Sequence, residues 1–490
     1  MLFTSLEFFA FLPFALLVFG ILPVGWRWAW LLLASYGFYG VWHPLNLAYL
    51  GAVTLFVWSC GQGLERIESE SARRALLIAG LFAVLGSLFA FKFFDFIAGE
   101  LERLENTLLG PASVISLPRL ELTAPAGYSF YAFSAASYLV DVYAARVSGR
   151  QQPGHLALYL AYFPKILAGP IERATSFLPQ VLAGLRANPE RLVLGAQLIV
   201  WGLFKKVVIA DNLAPLVDHS FNIPAFAAPI ELLLSVYFFA FQIYCDFSGY
   251  TDIAIGVSLL FGLQLMENFR RPYLSRSTAE FWGERWHISL GRWFRDYLYV
   301  PLGGSRVGRV RQYANLMIVF AVSGLWHAGL GYGVGWTFLV WGALNGAYQW
   351  VGLATRSFWH RVGVGLPRIS RSLPVRVLRV LLTFHLIAIT WVFFRARSLG
   401  DAWLILRRVG VKLGDMPSLL ARYPFTAEQF VGLSLIALLL GIELLDERRS
   451  IFQRLAAAPT AVRWGFCYLA VFALLILGRW QAREFIYMQF

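Results

Sequence analysis

Apolar runs close to the ~20 residues that a helix needs to cross ~30 Å of hydrocarbon recur from one end of this sequence to the other. No other feature restricts the fold so severely, because lipid offers no partner to a backbone amide left outside a helix. Hydrophobic residues make up 58% of the 490-residue chain and charged residues 14%, against about 25% charged in a soluble domain. That excess of apolar surface does not fit inside one water-soluble core. The expectation is an all-α, polytopic integral membrane protein, a single transmembrane unit over residues 1–490. Its candidate spans run from Glu7–Leu22 to Trp464–Leu477 and imply eleven to fourteen membrane segments, the shorter ones tilted or re-entrant.

The first run, Glu7–Leu22, has no basic stretch before it and no small-residue cleavage site after it, which predicts a retained helix. Cys60, Cys245 and Cys467 lie inside or at the end of apolar runs without Cys-x-x-Cys spacing, so buried, inert thiols are expected, with neither disulfide nor zinc. The net charge of +14 comes from arginines and lysines in short loops between apolar runs. That is the positive-inside pattern, and it makes membrane topology, not nucleic acid, the source of the basicity.

Two stretches break the helical pattern at membrane depth. In Tyr162–Ile171, Pro164 and Pro170 remove backbone donors and Lys165 brings a charge, so the segment should line an interior. In Glu280–Gly304, Trp282, Trp286, Leu290, Trp293 and Tyr297 form an aromatic stripe on a helical wheel, with Arg285, Arg292 and Asp296 on another side, the pattern of an interfacial helix. His287 shares a face with Leu290 and Phe294 and would point inward, as a satisfied core group or as a chemical one. Asp246 and Asp252, spaced by six around Gly249, give weak support for a metal. They read better as partners of Arg285 or Arg295 in an interrupted helix.

From Arg311 to His327 a helix rises ~24 Å at 1.5 Å per residue, placing His327 in the extracytoplasmic half. Ser323, Gly324 and Trp326 precede it, and the glycine-rich Ala328–Gly335 follows. An ionisable side chain at such a depth is costly without a partner or a wet cavity, so function is the default reading. A neutral imidazole whose tautomer is fixed by a neighbour can take a proton from an attacking hydroxyl.

These residues fall in words spread over nearly the whole chain: Tyr162–Pro170 (YFPKILAGP), Asp246–Asp252 (DFSGYTD), Glu267–Tyr273 (ENFRRPY), Glu280–Gly304, Ser323–His327 (SGLWH), Thr390–Ala396 (TWVFFRA) and Phe485–Phe490 (FIYMQF). In that order they resemble the membrane-bound O-acyltransferase family, particularly the branch with the alginate O-acetyltransferase membrane subunit and the teichoic acid D-alanyl transferase. The resemblance implies helices around a central tunnel with re-entrant or interfacial pieces, in the bacterial inner membrane. It implies a cytoplasmic acyl thioester donor, acetyl-CoA or an acyl carrier protein, with no bound cofactor or metal. The acceptor would be an extracytoplasmic polysaccharide or a periplasmic acetyltransferase or acceptor protein. His327 matches the catalytic histidine and His287 the second histidine of the tunnel. Trp326, Trp286, Ser289, Asn268, Asp246 and Lys165 are expected along that tunnel, and Arg285 and Arg292 at its donor mouth. Oxyanion donors are expected from Trp326, His287 or freed amides of the glycine-rich stretch. The chain departs from the family in a longer Ala328–Gly335 link and in Asn345, where many members carry histidine. A base mechanism and an acyl-histidine mechanism both remain open. The rival of another class, a transporter or lipid flippase, often shows paired interruptions in repeated halves. No second copy of either histidine motif occurs here.

Overall fold

The structure, a computed structural model, describes residues 1–490 except 42, 43, 110–117, 329–334, 371, 448–450, 481, 482 and 487–490. Every regular element among the described residues is helical. Seven of these helices are long and apolar enough to cross a membrane: Pro44–Arg66, Glu70–Leu108, Pro189–Asn222, Pro229–Leu260, Leu373–Arg395, Ala427–Asp446 and Thr460–Leu477. Other expected segments are present but shorter, such as Leu6–Ile21 and Tyr128–Tyr143, or less apolar, such as Arg309–His327 and Gly335–Ala354. The protein is thus a polytopic, all-helical membrane protein. Cys60 and Cys245 are buried as expected, whereas Cys467 is exposed on the apolar Thr460–Leu477 helix. A helix in lipid presents apolar side chains outward, so an apolar run alone does not tell core from lipid face.

The orientation follows from charge. Arg306, Arg309 and Arg311 gather at the start of the Arg309–His327 helix, and arginines at 356, 361, 368, 376 and 379 precede and open the Leu373–Arg395 helix. By the positive-inside rule both starts are the ends expected at the cytoplasmic face, with His327 and Arg395 at the opposite ends.

Pro229–Leu260 is the central helix, and most of its residues are buried. Pro229 opens it, and the Glu231 carboxylate accepts from the amide of Ala228 at 2.9 Å. Gly262, at φ +80°, follows its end. The expected division into two spans at Gly249 does not occur, because the helix runs unbroken through it. Gly249 has a packing role instead. It and Gly256 face Gly202 and Gly195 of the antiparallel Pro189–Leu203 helix, where backbones approach as small residues allow. A Cβ on Gly202 would lie 2.6 Å from the Gly249 carbonyl oxygen. Gly202→Val is expected to destabilise the fold by about 1–3 kcal/mol through overpacking, read as a lower thermal midpoint of the detergent-solubilised protein.

The Tyr162–Ile171 stretch is buried throughout, as its prolines and lysine require. Helix Pro153–Ala161 stops at Tyr162 and the one-turn helix Phe163–Ile166 restarts, with the freed amide of Phe163 donating to Ser35 Oγ at 3.1 Å.

Candidate active site

Residues 278–299 do not form the single interfacial helix that the aromatic stripe predicts. The chain makes one turn at Thr278–Glu280, widens to a π-segment over Phe281–Arg285, breaks at Trp286 and His287, and resumes as Ile288–Phe294. His287 adopts the left-handed region at φ 43°. A non-glycine residue there carries a cost of order 1–3 kcal/mol and persists only where its surroundings enforce it. Asn268 supplies that enforcement: its carbonyl accepts from Ile288 N–H at 3.0 Å and its Oδ1 from Ser289 N–H at 3.1 Å. Ser289 Oγ in turn accepts the amide of Ile171 at 3.0 Å. Asn268 and Ser289 therefore stand behind His287 as its support.

The break turns His287 inward. Its ring and that of His327, both 3% exposed, line one cavity of about 270 Å³ walled by Trp286, Leu290, Phe294 and Phe320. Trp326 packs beside both, 6.2 Å from His287 and 4.7 Å from His327 between ring centroids. The exposed Arg292 and Arg295 lie along the cavity rim.

His327 closes the Arg309–His327 helix, and its Nδ1 lies 2.7 Å from the Ser323 carbonyl oxygen. A carbonyl only accepts, so Nδ1 carries the proton and Nε2 is the basic nitrogen of the neutral ring. Trp341 and Phe394 hold the ring from the other sides at 5.1 and 5.5 Å. Asn345, one of the chain's two departures from the family pattern, is fully buried. Its Oδ1 accepts the Trp282 indole N–H at 2.9 Å and its amide donates to the Trp341 carbonyl at 2.8 Å. It fixes two walls of the aromatic chamber. The glycine-rich stretch that could supply oxyanion donors lies at 329–334, outside the described residues, as does most of FIYMQF.

Lys92 is a site residue that the pattern of motifs missed. From the long Glu70–Leu109 helix its ammonium donates to the Trp326 carbonyl at 3.1 Å, one residue from His327. The signal was present as a lone lysine inside the apolar run Ala90–Phe94. Lys92→Met is expected to release that last helical turn and lower turnover by roughly 10²-fold with little change in donor KM. Equal losses in KM and turnover would contradict a positioning effect.

Three expected tunnel or mouth residues lie elsewhere. Lys165 sits among rings, its ammonium 4.5 Å from the Tyr159 centroid and 5.8 Å from that of Phe177. Asp246 pairs with Lys206 at 2.7 Å and lines a different cavity. Its expected partners, Arg285 and Arg295, are engaged with other carboxylates, as Asp252 is with Lys205 at 2.5 Å. The reason is the π-segment Phe204–Ala210, which carries Lys205 and Lys206 against the central helix. Arg285 does not stand at an open mouth. Nε donates to Glu280 at 2.7 Å, Nη2 to Glu447 at 2.8 Å, and Nη1 to the carbonyls of Arg270 and Arg271. With Arg271 it clamps the break to the C-terminal end of the Ala427–Asp446 helix. These guanidinium groups, Arg285 foremost, hold the Glu447 carboxyl below the usual range. The clamp is intact above the ordinary glutamate pKa of about 4.3 and loosens as pH falls through the lowered value.

The model of the MBOAT, membrane-bound O-acyltransferase, family matches residues 34–394, a stretch holding both histidines and nearly all of the scaffold around them. The chain belongs to the membrane-bound O-acyltransferase family. It is similar to the probable alginate O-acetylase of Azotobacter vinelandii, 36% identical over 408 residues that cover 82% of this chain and 77% of that protein. The peptidoglycan O-acetyltransferase of Helicobacter pylori is 33% identical over 437 residues, with 82% and 78% covered. The teichoic acid D-alanyltransferase of Streptococcus thermophilus is 24% identical over 336 residues, with 62% and 74% covered. The protein is a membrane-embedded acyltransferase, and its two buried histidines lie within the part that defines the family.

Proposed function

We propose that this membrane-bound O-acyltransferase transfers an acetyl group from a cytoplasmic thioester, acetyl-CoA or a carrier protein, to a hydroxyl of an extracytoplasmic polysaccharide or of a periplasmic acceptor protein, across a bacterial inner membrane. One observation carries the reading: a single buried cavity brings together the two intramembrane histidines, with His327 held as the Nδ1–H tautomer. Relatives named for O-acetylation of alginate and of peptidoglycan support acetyl as the group and an envelope polymer as its destination.

The chemistry follows from that tautomer. The acceptor hydroxyl attacks the thioester carbonyl while Nε2 of His327 takes its proton, and the carbonyl electrons move onto oxygen. In this reading Trp326, packed beside both histidines, and His287 donate to the resulting oxyanion. When the carbonyl reforms, the C–S bond breaks and the departing thiolate takes the proton from the His327 imidazolium. The ester product and the free thiol leave on opposite sides. Aromatic walls exclude the water that would otherwise hydrolyse the thioester.

Incubation of the reconstituted protein with labelled acetyl-CoA and an envelope polysaccharide should place the label in a base-labile ester on the acceptor. Absence of transfer from both CoA and carrier-protein thioesters would remove the reading. At the rim, Arg292→Ala is expected to raise donor KM by about tenfold, the effect of losing one charge-assisted contact to a phosphate. Arg285→Ala should instead lower stability, because its donors are committed within the protein.

A further inference from the structure

We propose that a second cavity, on the extracytoplasmic side of the central helix, binds an uncharged, hydroxyl-rich carbohydrate segment of the acceptor. The inference rests on the acyl-transfer reading for its role and on the cavity itself for its ligand. The cavity measures about 360 Å³, within the roughly 300–1,000 Å³ of small-molecule sites. Its walls are the Asp211–Asn222 helix, the middle of the central helix, the end of the Leu373–Arg395 helix and the segment from Arg483.

Its position suits an acceptor. Arg395 and Arg397 mark its outer end, and Gln242 lies ~20 Å along the central helix from Pro229 at 1.5 Å per residue. The cavity therefore reaches from the outer surface to mid-membrane depth. Adjacent residues of the Leu373–Arg395 helix reach both sites: the Phe394 ring lies 5.5 Å from that of His327, and Arg395 lines the second cavity.

The lining selects the ligand class. Four cationic and four acidic side chains surround the space, so their signs cancel and neither an anion nor a cation gains from the whole. Most are already matched: Asp218 accepts from Arg395 at 2.7 Å and Arg483 at 3.1 Å, and Lys206 lies between Asp211 and Asp246. Three groups are left to an occupant, one of them the exposed carboxylate of Glu484, which has no ion-pair partner among the described residues and accepts from a hydroxyl. Arg397 is exposed and has no carboxylate partner among the described residues. Gln242 is 6% exposed, and its Oε1 has no hydrogen-bond partner among the described residues. A buried carbonyl oxygen needs a donor and a guanidinium needs acceptors, and a hydroxyl is both. An acyl chain or a lipid tail would leave all three unmet.

Titration of the full chain in nanodiscs tests this, with maltotetraose as the neutral probe and a uronic acid tetramer as the charged one. Saturable binding of maltotetraose is expected, with Gln242→Leu and Arg397→Ala each raising Kd by roughly tenfold, the scale of one lost hydrogen-bonded contact. Arg422→Ala, on an exposed helix elsewhere, serves as the unaffected control, and thermal midpoints establish that each variant is folded. Arg397 is a surface residue, so its variant remains informative if Gln242→Leu does not fold. No saturable binding, preference for the uronate tetramer, or wild-type affinity in folded variants would each overturn the proposal. Wild-type acetyl-CoA turnover is measured alongside. Turnover without glycan binding overturns this site alone, and glycan binding without turnover from any thioester overturns the acyl-transfer reading alone.

Discussion

His327→Ala is expected to yield a folded, membrane-inserted protein whose acyl transfer falls by about 10²–10⁴-fold, the usual contribution of a positioned general base. The variant loses a ring whose Nδ1 is held by the Ser323 carbonyl, which leaves Nε2 as its basic nitrogen. Its fold should persist, because the surrounding rings Trp326, Trp341 and Phe394 pack on several other partners. Donor affinity should change little, since Arg292 and Arg295 at the rim are untouched. Turnover, donor KM and thermal midpoint together make the test. A well-folded variant that keeps more than about a tenth of wild-type turnover, less than the smallest loss expected for a base, would remove His327 from the chemistry. His287→Ala provides the comparison. It relieves no backbone strain, since alanine is no happier than histidine at φ 43°. Its loss of turnover therefore reports on the ring, whereas His287→Gly, which relaxes the break, separates ring from backbone.

The class of fold was legible in the sequence because lipid allows few solutions: apolar runs of spanning length admit only helices, and basic loops fix their direction. Both histidines stood out by the same logic, as ionisable groups in costly places. What periodicity could not convey was where a helix departs from regularity. A wheel drawn through Glu280–Gly304 assumes 3.6 residues per turn, and the two π-segments with the break at Trp286–His287 violate that assumption. Gly249 misled in the opposite sense. Its missing side chain suggested a kink, but the helix uses it to admit a neighbour's backbone.

The charged residues were harder to place, because sequence shows which charges exist and not which meet. Arg285 looked available to a phosphate, yet Glu280 and Glu447, one nearby and one 162 residues away, take up its donors. Asp246 looked like a partner for Arg285 or Arg295, 39 and 49 residues later, yet the group it meets is Lys206, 40 residues earlier. The adjacent Lys205 and Lys206 interrupting the apolar run Leu192–Ala210 were the available signal for that pairing. Two ammonium groups at membrane depth require two carboxylates nearby, and Asp246 and Asp252 offer them in an antiparallel neighbour.

Lys206→Met is accordingly expected to be the most damaging substitution for stability, at about 3–5 kcal/mol, the cost of leaving a buried charge without its partner. Lys206 is 1% exposed and lies 2.7 Å from Asp246 and 3.0 Å from Asp211, so its removal strands two buried carboxylates together on the wall of the second cavity. The effect should spread to the end of the chain, because the other oxygen of Asp246 accepts the amide of Ile486 at 2.7 Å and the Lys206 ammonium lies over the Phe485 ring. Methionine keeps the length and apolar stem of lysine, so the loss reports on charge more than on packing. The triple variant Lys206→Met, Asp211→Asn, Asp246→Asn removes the stranded charges and should recover a substantial part of the stability, since a buried ionic cluster often contributes little net over a neutral one. Thermal midpoints in detergent measure both. A Lys206→Met protein as stable as wild type, or a triple variant less stable than the single one, would show that the cluster is hydrated and does not hold the fold through its charges.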